Sequence, residues 1–155
     1  MFGKLTNSEI EDVLSRQILG RIACHADDIT YIVPTSYAYD GEYLYGRTFE
    51  GLKIELMRKN PKVCFQTDTM ENMANWKSVI AWGEFKELTE TGERNSAIEK
   101  LLARKIDGIA STTVKLSPLW PFSAKENIDK IEGIIFSIRL MEKTGRFEKS
   151  EDIIF

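Results

Sequence analysis

The chain has 155 residues, 43% of them hydrophobic, enough to bury the core of one domain. Its 21 Lys and Arg against 24 Asp and Glu leave a net charge of -3, and the two signs are interspersed. There is thus no basic footprint for DNA, RNA or an anionic membrane, although one small phosphate remains compatible. No run of about 18 apolar residues occurs, and no basic segment leads into an apolar one at the start. A soluble protein is expected, with neither nucleic acid nor membrane as partner.

Cys24 and Cys64 sit in apolar runs, Arg21-Ile22-Ala23-Cys24 and Val63-Cys64-Phe65, which predicts buried free thiols in a reducing cytoplasm. The single histidine, His25, precedes the polar Ala26-Asp27-Asp28 and is expected to face solvent. No Cys or His cluster has metal-ligand spacing, so no metal site is predicted.

In chain order, Thr6-Asn7-Ser8-Glu9 has the capping-box pattern, followed at helical spacing by Ile10, Val13 and Leu14. An amphipathic helix is expected to close one end of the core. Strands follow over 18–24 and 30–39, separated by Asp27-Asp28. Asp40-Gly41 predicts a hairpin with a type I' turn, from which a strand over 42–47 returns. Pro34 cannot donate to a ladder and marks either an edge or a bulge.

A short helix is predicted over 51–59, ended by Asn60-Pro61, with strands over 62–68 and 78–88 and a bulge or bend at Gly83. A loop spans 70–75. A helix opens at Thr91-Gly92-Glu93-Arg94, with Ala97, Ile98, Leu101, Leu102 and Ile106 on one face. Leu116 to Phe122, holding Trp120, is proline-punctuated and aromatic and predicts an ordered excursion. A last strand runs over 133–141, and Thr144-Gly145-Arg146 is expected to turn out of it. No repeat or linker divides residues 1–155. The fold class is mainly β with flanking helices, about six antiparallel strands in a small closed or nearly closed barrel.

The most informative stretch is 31–60. Arg47 and Thr48 end a strand, Gly51 follows as a residue that permits close backbone approach, and Lys53 lies in the first turn of the next helix. Free N–H groups at a helix start, two cations and a hydroxyl suit a phosphate. Solvated charges at a strand-to-helix junction are the other reading of the same residues.

The chain resembles the pyridoxamine 5'-phosphate oxidase-like FMN-binding split-barrel proteins, and particularly their nitroimidazole-resistance-like branch. The resemblance covers roughly Leu5 to Leu88 and the final strand. It is carried by 33–41, 44–48, 51–54, Asn60-Pro61-Lys62-Val63-Cys64-Phe65, Trp76-Lys77-Ser78-Val79 with Gly83, and Thr144-Gly145-Arg146. It implies a split barrel that forms a homodimer with FMN at the interface. Backbone groups of Val33, Pro34, Thr35, Ser36 and Tyr37 would border the isoalloxazine ring, and Arg47, Thr48 and Lys53 would hold the phosphate. Ser78 and Lys77 occupy the places of a flavin-contacting Gln and Arg, and Trp76 would cover the ring or pack the interface; the partner subunit would supply these three.

Two departures bear on activity. Arg47 stands where many members of the nitroimidazole branch carry His, and the C-terminal Arg and His substrate clamp of the true oxidases has no counterpart, which argues against oxidation of pyridoxine phosphate. What the resemblance implies is an FMN-dependent oxidoreductase acting on a small electron-accepting substrate, with NADH or NADPH as donor. A non-catalytic FMN-binding or storage protein and a cofactor-free interaction barrel are the alternatives. No catalytic residue is assigned; Tyr37, Tyr39 and Tyr45 either line a substrate pocket or pack the strands.

Overall fold

The computed structural model of the chain describes residues 1–104 and 127–150. In order these form β1 (Phe2–Lys4), α1 (Asn7–Arg16), β2 (Leu19–Ala26), β3 (Ile29–Ser36), β4 (Ala38–Tyr39), β5 (Tyr43–Thr48), α2 (Leu52–Lys59), β6 (Lys62–Asn72), β7 (Asn75–Glu87), α3 (Thr91–Leu102), a 3-10 turn at Ile128–Lys130 and β8 (Ile134–Lys149). The predicted excursion around Trp120, and Ile106 of the third helix face, lie outside the described residues.

The sheet is antiparallel throughout, in the order β3-β2-β6-β7-β8-β5-β4, with β1 added to β8. Its two end strands, β3 and β4, are consecutive in the chain and joined through Tyr37 alone. The sheet therefore curls until its ends meet at a seam, the split barrel expected from the sequence. Eight strands form where about six were predicted, because β1 and β4 span only 3 and 2 residues and carry no period of their own. Pro34 is on β3, an end strand of the sheet, where its missing N–H breaks no ladder bond.

The first helix forms as predicted. Thr6 accepts from the Glu9 N–H at 3.3 Å while the Glu9 carboxylate accepts from the Thr6 N–H at 2.8 Å, and Ile10, Val13 and Leu14 are buried. Most of the core lies inside the barrel, around Leu14, Ile22, Tyr37, Phe65, Met57 and Phe136. A second cluster, with Ala97, Ile98 and Leu101, packs α3 against Ala38, Tyr45 and Ile135. Cys24 is buried and Cys64 half-buried, both as free thiols, and His25 is exposed, its ring beside the Thr30 hydroxyl at 3.0 Å.

Three local expectations are corrected. The two-residue turn with both residues at positive φ is Asp27-Asp28 (52° and 59°), not Asp40-Gly41. Between β4 and β5 only Gly41 has positive φ, and the Asp40 carboxylate accepts from the N–H groups of Glu42 (3.0 Å) and Tyr43 (2.8 Å), closing a three-residue loop. The segment 70–75 is not a loop: β6 and β7 continue into it and turn only at Met73-Ala74. Thr144-Gly145-Arg146 does not leave the strand, since these residues pair with Ile80, Val79 and Ser78. Gly145 is small because α1 crosses it, where a Cβ would lie 2.7 Å from Leu5 Cδ1 and 2.9 Å from Ile10 Cγ1. Gly83 does mark an irregularity, a register shift between β7 and β8.

Candidate functional site

Two groups of the sequence-predicted residues stand at opposite ends of the barrel. At one end, Arg47 and Thr48 finish β5 opposite Ile135 and Ile134, and Lys53 follows in the first turn of α2. The connection between them is fixed from behind by Arg58, whose guanidinium donates to both oxygens of Glu50 and to both of Glu87 at 2.8–2.9 Å. Arg47 Nε donates to the Glu132 carbonyl at 2.8 Å, and its guanidinium lies over the Phe49 ring at 5.3 Å.

Lys53 is half-buried beside Cys24, and burial holds its ammonium below the usual lysine range, as it pushes the Cys24 thiol above its own. No described residue gives Lys53 an ion pair or a hydrogen bond, which is unusual for a cation withdrawn from water. Cys24 pairs with Tyr31 of β3, and Ile22, two residues back, with Val33. Val33 to Tyr37 run on from there to the seam with β4, Pro34 standing level with Ile80 of β7.

Gly51, the N-cap of α2, leaves the space beside its backbone open. Its φ of 168° is ordinary extended backbone, and a Cβ there would meet nothing within 4 Å. The glycine that this end requires is Gly133, at φ 101°, where a Cβ would lie 2.8 Å from the Thr48 carbonyl and 3.4 Å from Arg47 Nε. It lies too far along the chain from Thr48 to be linked to it by any local pattern.

At the other end, Trp76, Lys77 and Ser78 open β7 opposite Glu148, Phe147 and Arg146. The Trp76 indole donates to Glu148 at 3.0 Å and meets the Phe2 ring edge-on at 5.9 Å. Trp76 and Lys77 line an open cleft of about 620 Å³ beneath α1. Ser78 accepts from the Gln66 amide at 3.0 Å, and Arg21 donates to Asp68 at 2.7 Å on the same face. From Arg47, opposite Ile135, to Ser78, opposite Arg146, the register spans roughly 35 Å of β8. One chain therefore does not bring the two groups to one ligand.

Between these groups, the outer face of four neighbouring strands presents apolar side chains in register. Ile32 pairs with Ala23, Ala23 with Cys64 and Cys64 with Trp82, and the adjacent row runs Pro34, Arg21, Gln66, Ile80. Ile32 is 63% exposed, Trp82 43% and Ile80 38%. Arg21 and Gln66 lie between Pro34 and Ile80 on this face, so its exposed apolar side chains, Ile32, Ile80 and Trp82, stand around a polar centre.

The three tyrosines have their hydroxyls engaged within the fold. Tyr37 donates to the Leu14 carbonyl at 2.8 Å, Tyr39 to Glu11 at 2.6 Å and Tyr45 to Asp40 at 2.8 Å. Tyr37 and Tyr39 also border a cleft of about 360 Å³ against the end of α3, and Tyr45 packs under Lys100. No helix among the described residues is long and apolar enough to cross a membrane.

Comparison with known proteins bears on this architecture. The family profile described as pyridoxamine 5'-phosphate oxidase matches residues 6–126. An uncharacterized protein of Rhizobium meliloti, RA0666, is 34% identical over 149 residues, 92% of each chain. An FAD-binding protein of Mesorhizobium loti, known from a crystal structure, is 28% identical and superposes with a TM-score of 0.73 over 97% of this chain and 98% of its own. A candidate 5-nitroimidazole antibiotic resistance protein of Bacteroides thetaiotaomicron shares the fold at 15% identity, with a TM-score of 0.70 over 95% and 87% of the two chains. The seam between β3 and β4, the β5–α2 junction and the matched profile agree, and the chain belongs to the pyridoxamine 5'-phosphate oxidase family.

Proposed function

We propose that the protein binds FMN between two copies of itself and works as an oxidoreductase, with NADH or NADPH as donor and small electron-poor molecules as acceptors. The observation that carries the cofactor assignment is Lys53, a half-buried cation without a partner among the described residues, at the start of the helix that follows β5. Its ammonium, the Thr48 hydroxyl, the Arg47 guanidinium and the first N–H groups of α2 would together supply the donors that a phosphate monoester takes. The M. loti relative is described as FAD-binding, which supports a flavin; a monophosphate placed against Lys53 favours FMN.

The homodimer is supported by two features of a single chain. Trp76, Lys77 and Ser78 are too far from Arg47 to share its ligand, and the apolar face of β3, β2, β6 and β7 offers a surface for a second copy. In such a dimer each flavin would take its phosphate site and the Val33–Tyr37 backbone from one subunit, and Trp76 to Ser78 from the other. Two free cysteines suit a reducing cytoplasm.

Bound flavin would supply the electron transfer. This chain's residues hold the phosphate, present the β3 backbone to the ring and exclude water with the apolar face. The tyrosine hydroxyls bonded within the fold supply no evident proton donor, which favours as a second reading a non-catalytic FMN carrier. Anaerobic mixing of the flavin-loaded protein with NADH, then with NADPH, separates the two. Bleaching of the visible flavin bands, with colour restored by a nitroaromatic or quinone, is the result expected of the oxidoreductase; colour unchanged by both donors refutes it.

A further inference from the structure

We propose that Arg104, just past the end of α3, is a positioning residue for the bound flavin, clamping the Ser36-Tyr37 corner where the two ends of the sheet meet. The inference rests on the flavin reading above, in which Val33 to Tyr37 border the ring.

The corner is held from the barrel side: Ser36 pairs with Leu19 of β2, and the buried Tyr37 ring meets Phe65 edge-on at 4.9 Å. β3 ends at Ser36, β4 has only two residues, and Tyr37 between them is fixed through its N–H to the Ile18 carbonyl at 3.0 Å and its hydroxyl to Leu14. Arg104 adds a link from the corner to α3. Its Nε donates to the Leu101 carbonyl at 2.8 Å, which anchors the side chain to the last turn of α3. Its Nη1 donates to the Ser36 hydroxyl and, at 3.2 Å, to the Tyr37 carbonyl.

A planar guanidinium with donors on several edges can engage acceptors on two elements at once, which an ammonium cannot do with the same rigidity. The group is largely buried, and loss of water pushes its pKa down to about 10. Hydrogen bonds donated by a charged group are stronger than neutral ones, so the two bonds to the corner favour the conformation that makes them. The same positive charge lies against the backbone proposed to border the ring, where it favours the electron-rich state of a bound flavin.

Arg104→Met and Arg104→Lys, made in the full chain and titrated with FMN, test the assignment through FMN affinity and the midpoint potential of bound FMN. In the Met variant we expect FMN binding about tenfold weaker and a potential about 30 mV lower, a tenfold shift for a two-electron couple. The Lys variant keeps the charge without the fork, so its potential should stay near wild type while its FMN affinity falls. A merely structural role would lower the melting temperature and leave the potential unmoved. Wild-type affinity and potential in both variants overturn the inference, whatever their melting temperatures. If the Met variant does not fold, wild-type FMN affinity in the Lys variant overturns it. A wild-type protein that takes up no FMN overturns the flavin reading and this inference with it; uptake by all three proteins with wild-type affinity overturns the inference alone.

Discussion

Replacing Lys53 by Met is expected to weaken FMN binding roughly 10- to 100-fold while leaving the apo-protein at least as stable as the wild type. The affinity loss follows from removing one charge-assisted contact to a phosphate, about 1.5–3 kcal/mol. Unchanged apo stability follows from the same observation with the opposite sign. Lys53 is withdrawn from water and no described residue neutralises it, so in the absence of an anion its charge is a cost to the fold. The Met stem keeps the packing against Cys24 and removes the charge. A solvated surface lysine would leave FMN affinity unchanged, and a lysine that served the fold would lower stability on removal. Isothermal titration with FMN and a thermal melt of the apo-protein read both quantities. Wild-type affinity in the Met variant would place the phosphate elsewhere.

Trp82→Glu should split the dimer and release the flavin in one step. Trp82 ends the row Ile32, Ala23, Cys64, Trp82 and is exposed in the single chain, so the substitution leaves the interior of the barrel untouched. Within a dimer it would bury a carboxylate in an apolar face and remove an aromatic anchor, a loss of at least about 2 kcal/mol, or roughly 30-fold in association. Because Arg47 and Lys53 lie far from Trp76, Lys77 and Ser78 in one chain, the separated subunit would keep only half of each flavin site. Sedimentation velocity, followed by visible absorbance of the desalted protein, gives both readouts. A variant that stays dimeric with its flavin in place would show that this face is not the interface.

The parts of the fold legible in the sequence are those written in local pattern. Thr6 and Glu9 announce the first helix because the capping box is complete within four residues, and its apolar positions are the ones that bury. The strand-to-helix junction of Arg47, Thr48 and Lys53 was equally visible, since a strand end, a helix start and two cations lie within seven residues.

What was illegible depends on partners distant in the chain. Gly145 looks like a turn residue until Leu5 and Ile10 are packed across it. Asp40-Gly41 outranks Asp27-Asp28 as a two-residue turn on propensity, yet Asp40 is engaged by Tyr43, Tyr45 and Lys100, so the longer loop wins. Gly133 and Arg104 carry no motif at all, and their roles emerge only when β8 lies beside β5 and α3 reaches the seam. The sequence does not tell how far Trp76 lies from Lys53, because that separation is set by the register of two strands against β8.

The central claim, that this chain is an FMN protein, is tested most directly by releasing whatever the freshly purified protein carries, by denaturation, and identifying it chromatographically. The account predicts a yellow protein that releases FMN, close to one per chain. Release of FAD would contradict the monophosphate assignment at Lys53, and a colourless protein that neither binds FMN nor is stabilised by it would contradict the flavin reading altogether.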